Sequence, residues 1–203
     1  SEDGLYILRH SCAHLLAQAV TEIYPEAKPT IGPPIEHGFY YDFHMDPIGE
    51  DDLRKIEKRM KELVRQNIPI SREELDNDSL REMFASNPFK LEIMDERIGH
   101  DLGSSAYRQG DFVDLCKGPH VSSTSKIRWF KLTSTSQAYW RADRKRESLV
   151  RIYGMCYSSK DGLKERERQI VEAAKRDHKK IGKEMGLYMI DEMIGKGLPV
   201  WLP

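Results

Sequence analysis

The sequence predicts an α+β protein: a mostly antiparallel sheet packed on a long N-terminal helix, with a smaller helical/β lobe and a C-terminal linker helix. Three observations predict it. A helical apolar period opens the chain at 3–24. Strand patterns bounded by turn residues recur at 38–43, 112–116, 127–133 and 148–157. A long, highly charged helical pattern runs from 160 to 185.

In the first helix Leu8, Cys12, Leu15, Leu16, Ala19 and Ile23 fall on one side at 100° per residue. His10 and His14 lie nearly opposite, beside the small residues Ala17 and Thr21, so they point to solvent or into a cleft. Pro25 ends the helix, and Gly32-Pro33-Pro34 is a rigid turn. In the strand 38–43, Phe39, Tyr41 and Phe43 share a face. Residues 50–66 form an amphipathic helix with Leu53, Ile56, Met60, Leu63 and Val64 on its apolar side. A short helix follows near 78–85. Asn87 then caps a helix with Pro88 at its first position, although Phe89, Leu91 and Ile93 also alternate as a strand would. Lys90 falls in that helix's first turn, where the macrodipole disfavours a cation. Phe112, Asp114 and Cys116, spaced by two, share a strand face, and Gly118-Pro119 turns the chain before His120.

The chain has 203 residues, enough for one domain or two small ones. Its formal net charge of −1 gives no global basic field of the kind that marks a nucleic-acid binder. No apolar run is long enough to span a membrane and no signal-peptide pattern opens the chain, so a cytoplasmic location is expected. Cys12, Cys116 and Cys156 are odd in number and widely spaced, which reads as reduced thiols.

Two elements carry chemistry. His10-x-x-x-His14 sets two imidazoles on one helical face. Cys116-x-x-x-His120 brings a thiol and an imidazole across a turn, beside Asp114. His10, His14, Cys116 and His120 suit tetrahedral zinc in type and number. The same groups can also activate a water without metal, histidine supplying acid–base capacity near neutral pH. A purely structural role, closing a polar core, is the third reading.

The stretches RHSCAHLL, IGPPIEHGFYYDF, DLCKGPH, AYWRAD, RIYG and AAKRDHKKIGKEMGLY resemble, in order and spacing, threonyl-tRNA synthetase of the bacterial type. The likeness covers essentially the whole chain. It implies an editing domain at 1–158 with an inserted smaller lobe at about 45–100, a linker helix at 159–185, and the opening of the class II aminoacylation domain at 186–203. The other domains of the full synthetase lie outside this chain. The implied activity is hydrolysis of serine from mischarged seryl-tRNA(Thr), the tRNA acceptor end being the partner. Carried over by position, the catalytic residues are His10, His14, Lys90 and His120, and the substrate-binding residues are Tyr41, Asp114 and Cys116. No cofactor is expected, zinc at His10, His14, Cys116 and His120 being the alternative, as in alanyl-type editing domains. A tRNA-binding module without turnover is the rival from another class. Gln137 and Ala142 stand where the family's pattern has glycine.

Overall fold

The computed structural model describes residues 1–99, 105–175, 188–190 and 199–201. The N-terminal helix α1 runs Glu2–Ile23, with Ser1 accepting the Gly4 amide and Glu2 and Asp3 in the first turn, where the helix dipole favours acids. Five strands form the main sheet: β1 (Lys28–Pro29), β2 (Pro34–Ile35), β3 (Gly38–His44), β7 (Trp129–Tyr139) and β8 (Ser148–Tyr157). The order is β1-β3-β8-β7, β2 also pairs with β3, and every pairing is antiparallel. A second antiparallel sheet has the order β4 (Ile70–Glu73), β5 (Ala106–Gln109), β6 (Phe112–Leu115). Helices α2 (Glu50–Gln66), α3 (Asn77–Met83) and α4 (Pro88–Gly99) lie between them in the chain. An α+β fold with an N-terminal helix is what the sequence predicts.

The main core gathers α1, the inward face of β3, parts of β7 and β8, and Ile56, Met60 and Leu63 of α2. Phe39, Tyr41 and Phe43 enter it from alternate positions of β3, as the two-residue period requires. On the opposite face Asp42 takes both arms of the Arg151 guanidinium, at 2.7 and 2.8 Å. The smaller core consists of Leu80, Phe84, Met94, Ala106 and Leu115. It therefore draws on β5 and β6 from beyond residue 100, while α2, which lies within 45–100, packs into the main core. Strand β6 serves both cores: Val113 and Leu115 face the smaller one, Phe112 the larger.

Two sequence expectations change. First, α1 is not one-sided. Every residue from Leu8 to Val20 is buried except half-buried His10, because the face bearing the histidines is covered too. There Gln18 bonds Gln109, the His14 ring meets Phe112, and the Val121 amide donates to Ser11. Second, β7 extends past 133 to Tyr139. It is an edge strand whose outer half is largely exposed, so its polar residues hide the alternation. Helix α4 forms as its cap predicts: Asn87 Oδ1 accepts the amides of Phe89 and Lys90 at 3.2 and 3.3 Å.

The chain divides into two compact units, Ser1–Lys160 and Asp161–Pro203. Helix α5 (Lys160–Lys175) has no buried residue, and β9 (Tyr188–Ile190) pairs antiparallel with β10 (Pro199–Trp201). The expected continuation of the helix through 176–185 lies outside the described residues. Among the described residues no helix is long and apolar enough to cross a membrane, and no disulfide forms.

The turn between β7 and β8 stores backbone strain. Arg141 and Ala142 have φ of 55° and 57°, the left-handed region that an L side chain enters at a cost. Ala142 is exposed. Ala142→Gly should therefore raise stability by about 0.5–1 kcal/mol, relief of strain exceeding glycine's added freedom in the unfolded chain. Urea denaturation checks this: the midpoint should rise at unchanged slope.

Candidate functional site

All seven residues singled out by sequence meet in one place. Helix α1 contributes His10 and His14, β3 Tyr41, α4 Lys90, β6 Asp114, and the turn after β6 Cys116 and His120. The Cys116 Sγ lies 3.3 Å from Nε2 of both His10 and His120 and receives the Gly118 amide at 3.2 Å. The three imidazoles crowd together, with ring centroids 4.3 Å apart for His10 and His120 and 4.2 Å for His14 and His120. Asp114 sits at the floor. Its carboxylate pairs with the Lys90 ammonium, accepts the Tyr41 hydroxyl at 2.6 Å and lies 3.5 Å from His14 Nε2. Lys90 Nζ also donates to the Tyr41 hydroxyl at 3.1 Å.

Local sequence explains each placement. Helical i,i+4 spacing stacks His10 over His14. Strand alternation turns Asp114 away from the smaller core that its neighbours Val113 and Leu115 join. The Asn87 cap sets Lys90 one turn into α4, and Asn87 Nδ2 ties that helix start to the Pro29 carbonyl at 2.8 Å. Gly118 has φ of +72°, and a Cβ there would lie 2.0 Å from the Tyr107 hydroxyl, so only glycine fits. That turn returns His120 toward Cys116. Gly32 is similarly constrained, its missing Cβ leaving room for the Tyr41 ring.

Electrostatics keep the histidines neutral. Burial pushes the pKa of all three below the ordinary value. Asp114 partly opposes this at His10 and His120, whereas crowding by the neighbouring imidazoles lowers His14 and His120 further and the Lys90 charge adds to the effect at His14. Tyr41 is pushed well upward by burial and by the Asp114 charge, so it stays a hydrogen-bond donor. Three neutral imidazoles and a thiol therefore lie beside a buried ion pair. Lys90, Asp114, His14, Cys116 and Tyr41 are buried, while His10 and His120 are half-buried at the mouth. A groove of about 400 Å³ reaches Lys90 and Asp114 from another side, walled by Pro29, Phe84, Asn87 and Phe112.

The donor set fits a metal. One ligand atom from each of His10, His14, Cys116 and His120 lies within 4.8 Å of the others. Tetrahedral zinc separates a sulfur and a nitrogen ligand by about 3.5 Å, close to the 3.3 Å from Cys116 Sγ to each of two imidazole nitrogens.

Sequence reading missed two neighbours. Ser11, fully buried, bonds His120 Nδ1 at 3.1 Å, and the Tyr107 ring stands edge-on to His120 at 4.4 Å. A serine inside a helix and between two histidines was the available signal for the first. Nothing local marks Tyr107, which reaches the site only because β5 pairs with β6. Trp140 packs edge-on against Phe89 and donates its indole N–H to Glu92 at 2.9 Å.

Residues 105–153, which hold β5, β6 and the Cys116–His120 turn, match the family model described as the threonyl and alanyl tRNA synthetase second additional domain. Over that segment the chain is similar to the class of proteins that carry that domain. Within the class the likeness is to bacterial threonyl-tRNA synthetases. The whole chain is 51% identical to the threonine–tRNA ligases of Bacillus velezensis and Campylobacter lari, covering 32% and 33% of them. It is 46% identical to that of Rubrobacter xylanophilus, again over 32%. The chain thus spans about a third of the length of these relatives.

Two outcomes follow. Lys90→Ala strands the Asp114 charge in the interior and should cost about 3–5 kcal/mol. Adding Asp114→Asn should recover part of that loss, as a double-mutant cycle in urea would show. The second concerns pH. Histidines whose folded pKa is lowered bind more protons when unfolded, so stability falls as pH drops below about 6.5. Each adds a slope of up to about 1.4 kcal/mol per pH unit. Melting temperature should decline from about pH 7.5 to about pH 5, above the range where carboxylates titrate, and His120→Gln should flatten the decline.

Proposed function

We propose that this chain carries the proofreading hydrolase of a threonyl-tRNA synthetase, which removes serine from mischarged seryl-tRNA(Thr) by attack of water on the aminoacyl ester. The observation that carries the reading is the meeting of acid–base, cationic and carboxylate groups from α1, β3, α4, β6 and the following turn at one half-open cleft. The chain's likeness to threonine–tRNA ligases supports it. In this reading residues 1–158 form the editing domain, 159–185 the linker helix and 186–203 the start of the aminoacylation domain, in a cytoplasmic enzyme. Its partners are the tRNA(Thr) acceptor end and the rest of the synthetase.

The physical need is clear. Serine is threonine less one methyl, and a pocket gains only about 1–3 kcal/mol of discrimination from a methyl. A second, tighter pocket excludes the larger residue by size. There the oxygen of water bonds to the ester carbonyl carbon while one of its protons passes to a neutral imidazole. The carbon–oxygen bond to the ribose then breaks and the proton goes to the ribose oxygen, leaving serine and deacylated tRNA. His10, neutral and at the mouth, is the group that takes the proton from water. Asp114 has lone-pair capacity beyond Lys90 and Tyr41 for the substrate ammonium. Lys90 faces the developing oxyanion only by sharing its charge with Asp114. His14 and His120 move protons within the cluster, and Tyr41 and Cys116 bound the serine.

The donor geometry favours one second reading, a zinc-dependent deacylase with His10, His14, Cys116 and His120 as ligands. Bound zinc would supply a water of lowered pKa. A deacylation assay on seryl- and threonyl-tRNA tests both. The expected result is release of serine, sparing of threonine, and a loss of about 100-fold or more in His10→Ala with the fold intact. Loss of activity on chelation with recovery on zinc selects the second reading. Binding of tRNA with no release of serine makes the chain a binding module and overturns the proposal.

A further inference from the structure

Ser11 lies between His10 and His14 in α1, fully buried, and reaches the turn that follows β6. Its hydroxyl makes three polar contacts: the Ile7 carbonyl oxygen at 2.8 Å, the Val121 amide at 3.0 Å and His120 Nδ1 at 3.1 Å. A serine hydroxyl has one proton and two lone pairs. The Ile7 carbonyl can only accept and the Val121 amide can only donate. The single proton therefore goes to Ile7, the shortest of the three contacts. One lone pair takes the Val121 amide, and the other faces His120.

We propose that Ser11 is a positioning residue that holds His120 as the Nδ1–H tautomer, so that its unprotonated Nε2 faces Cys116 Sγ at 3.3 Å. In a neutral imidazole the hydrogen bond made by one nitrogen sets the state of the other. The opposite tautomer would require Ser11 to donate to Nδ1, giving up its shortest bond and leaving a lone pair unused in a fully buried position. The tautomer rests on this hydrogen-bond geometry alone. Its consequence for hydrolysis rests on the proposed function. A bare Nε2 aimed into the cluster is what proton acceptance needs, and it is equally the form in which a histidine ligates a metal.

The test is long-range proton–nitrogen correlation NMR on the full chain labelled with 15N-histidine, metal-stripped and at alkaline pH. The wild-type spectrum should show His120 as the Nδ1–H tautomer. In Ser11→Ala that signature should give way to a mixture, with the helical circular dichroism unchanged. Deacylation of seryl-tRNA by the variant should fall about 10-fold or more. A wild-type His120 in the Nε2–H form overturns the proposal, as does a Ser11→Ala spectrum identical to wild type. The wild-type spectrum decides the matter even where the variant does not fold. An Nδ1–H tautomer in a protein that hydrolyses neither ester sustains the positioning role and removes the hydrolytic reading instead.

Discussion

Helix α1 is enclosed on two sides, and the site exists because of it. The main sheet takes the apolar stripe that includes Leu15 and Leu16, while the second sheet and the turn after β6 close over the histidine face. A helix covered in this way must carry small residues where the second layer approaches, and Ala13, Ala17 and Ser11 are all fully buried. Residues of that size let Cys116 and His120 come within hydrogen-bonding distance of α1. Truncating a buried leucine of this helix would cost about 2–5 kcal/mol, against about 0.5–1.5 kcal/mol for a typical neutral hydrogen bond. Packing holds the chemistry in place.

The buried Lys90–Asp114 pair is the costly part of the arrangement. Burying two charges offsets much of their attraction, so such pairs are weak evidence for stability. Here the pair joins the start of α4 to β6, and Tyr41 completes it from β3. Lys90 occupies a helix N-terminus that repels a cation, and the Asn87 cap orders that turn regardless. A side chain held against helix electrostatics and against desolvation is explained by what it faces, the carboxylate at the floor of the cleft.

The imidazoles next to that pair are kept neutral by the same burial that makes the pair costly. Neutral histidines offer lone pairs, and lone pairs serve water activation and metal ligation alike. This is why one arrangement of side chains accommodates both chemistries, and why the ligand set alone does not separate the threonyl from the alanyl type. Similarity across the whole chain is to threonine–tRNA ligases.

Much of this molecule was legible in its sequence where a rule acts over a few residues. Helix α2 and strand β3 follow their apolar periods, Asn87 caps α4, and the spacing of Phe112, Asp114 and Cys116 puts one face toward the site. Legibility failed where the neighbour is distant in the chain. The outer half of β7 carries no apolar alternation because it lies exposed at a sheet edge, and α1 looked one-sided because small residues on a covered face resemble an exposed one. Ser11 and Tyr107 join the site through contacts about a hundred residues apart or through strand pairing. The sequence by itself determined the main helices and several strands, since propensity and periodicity are local properties, and the resemblance carried by its ordered motifs implied the seven site residues. Only the tertiary structure decided that Lys90 is neutralised by Asp114, that His14 is buried and His10 and His120 half-buried, and that a serine hydroxyl faces His120. Those facts depend on which surfaces exclude water together, and exclusion of water belongs to the assembled layers.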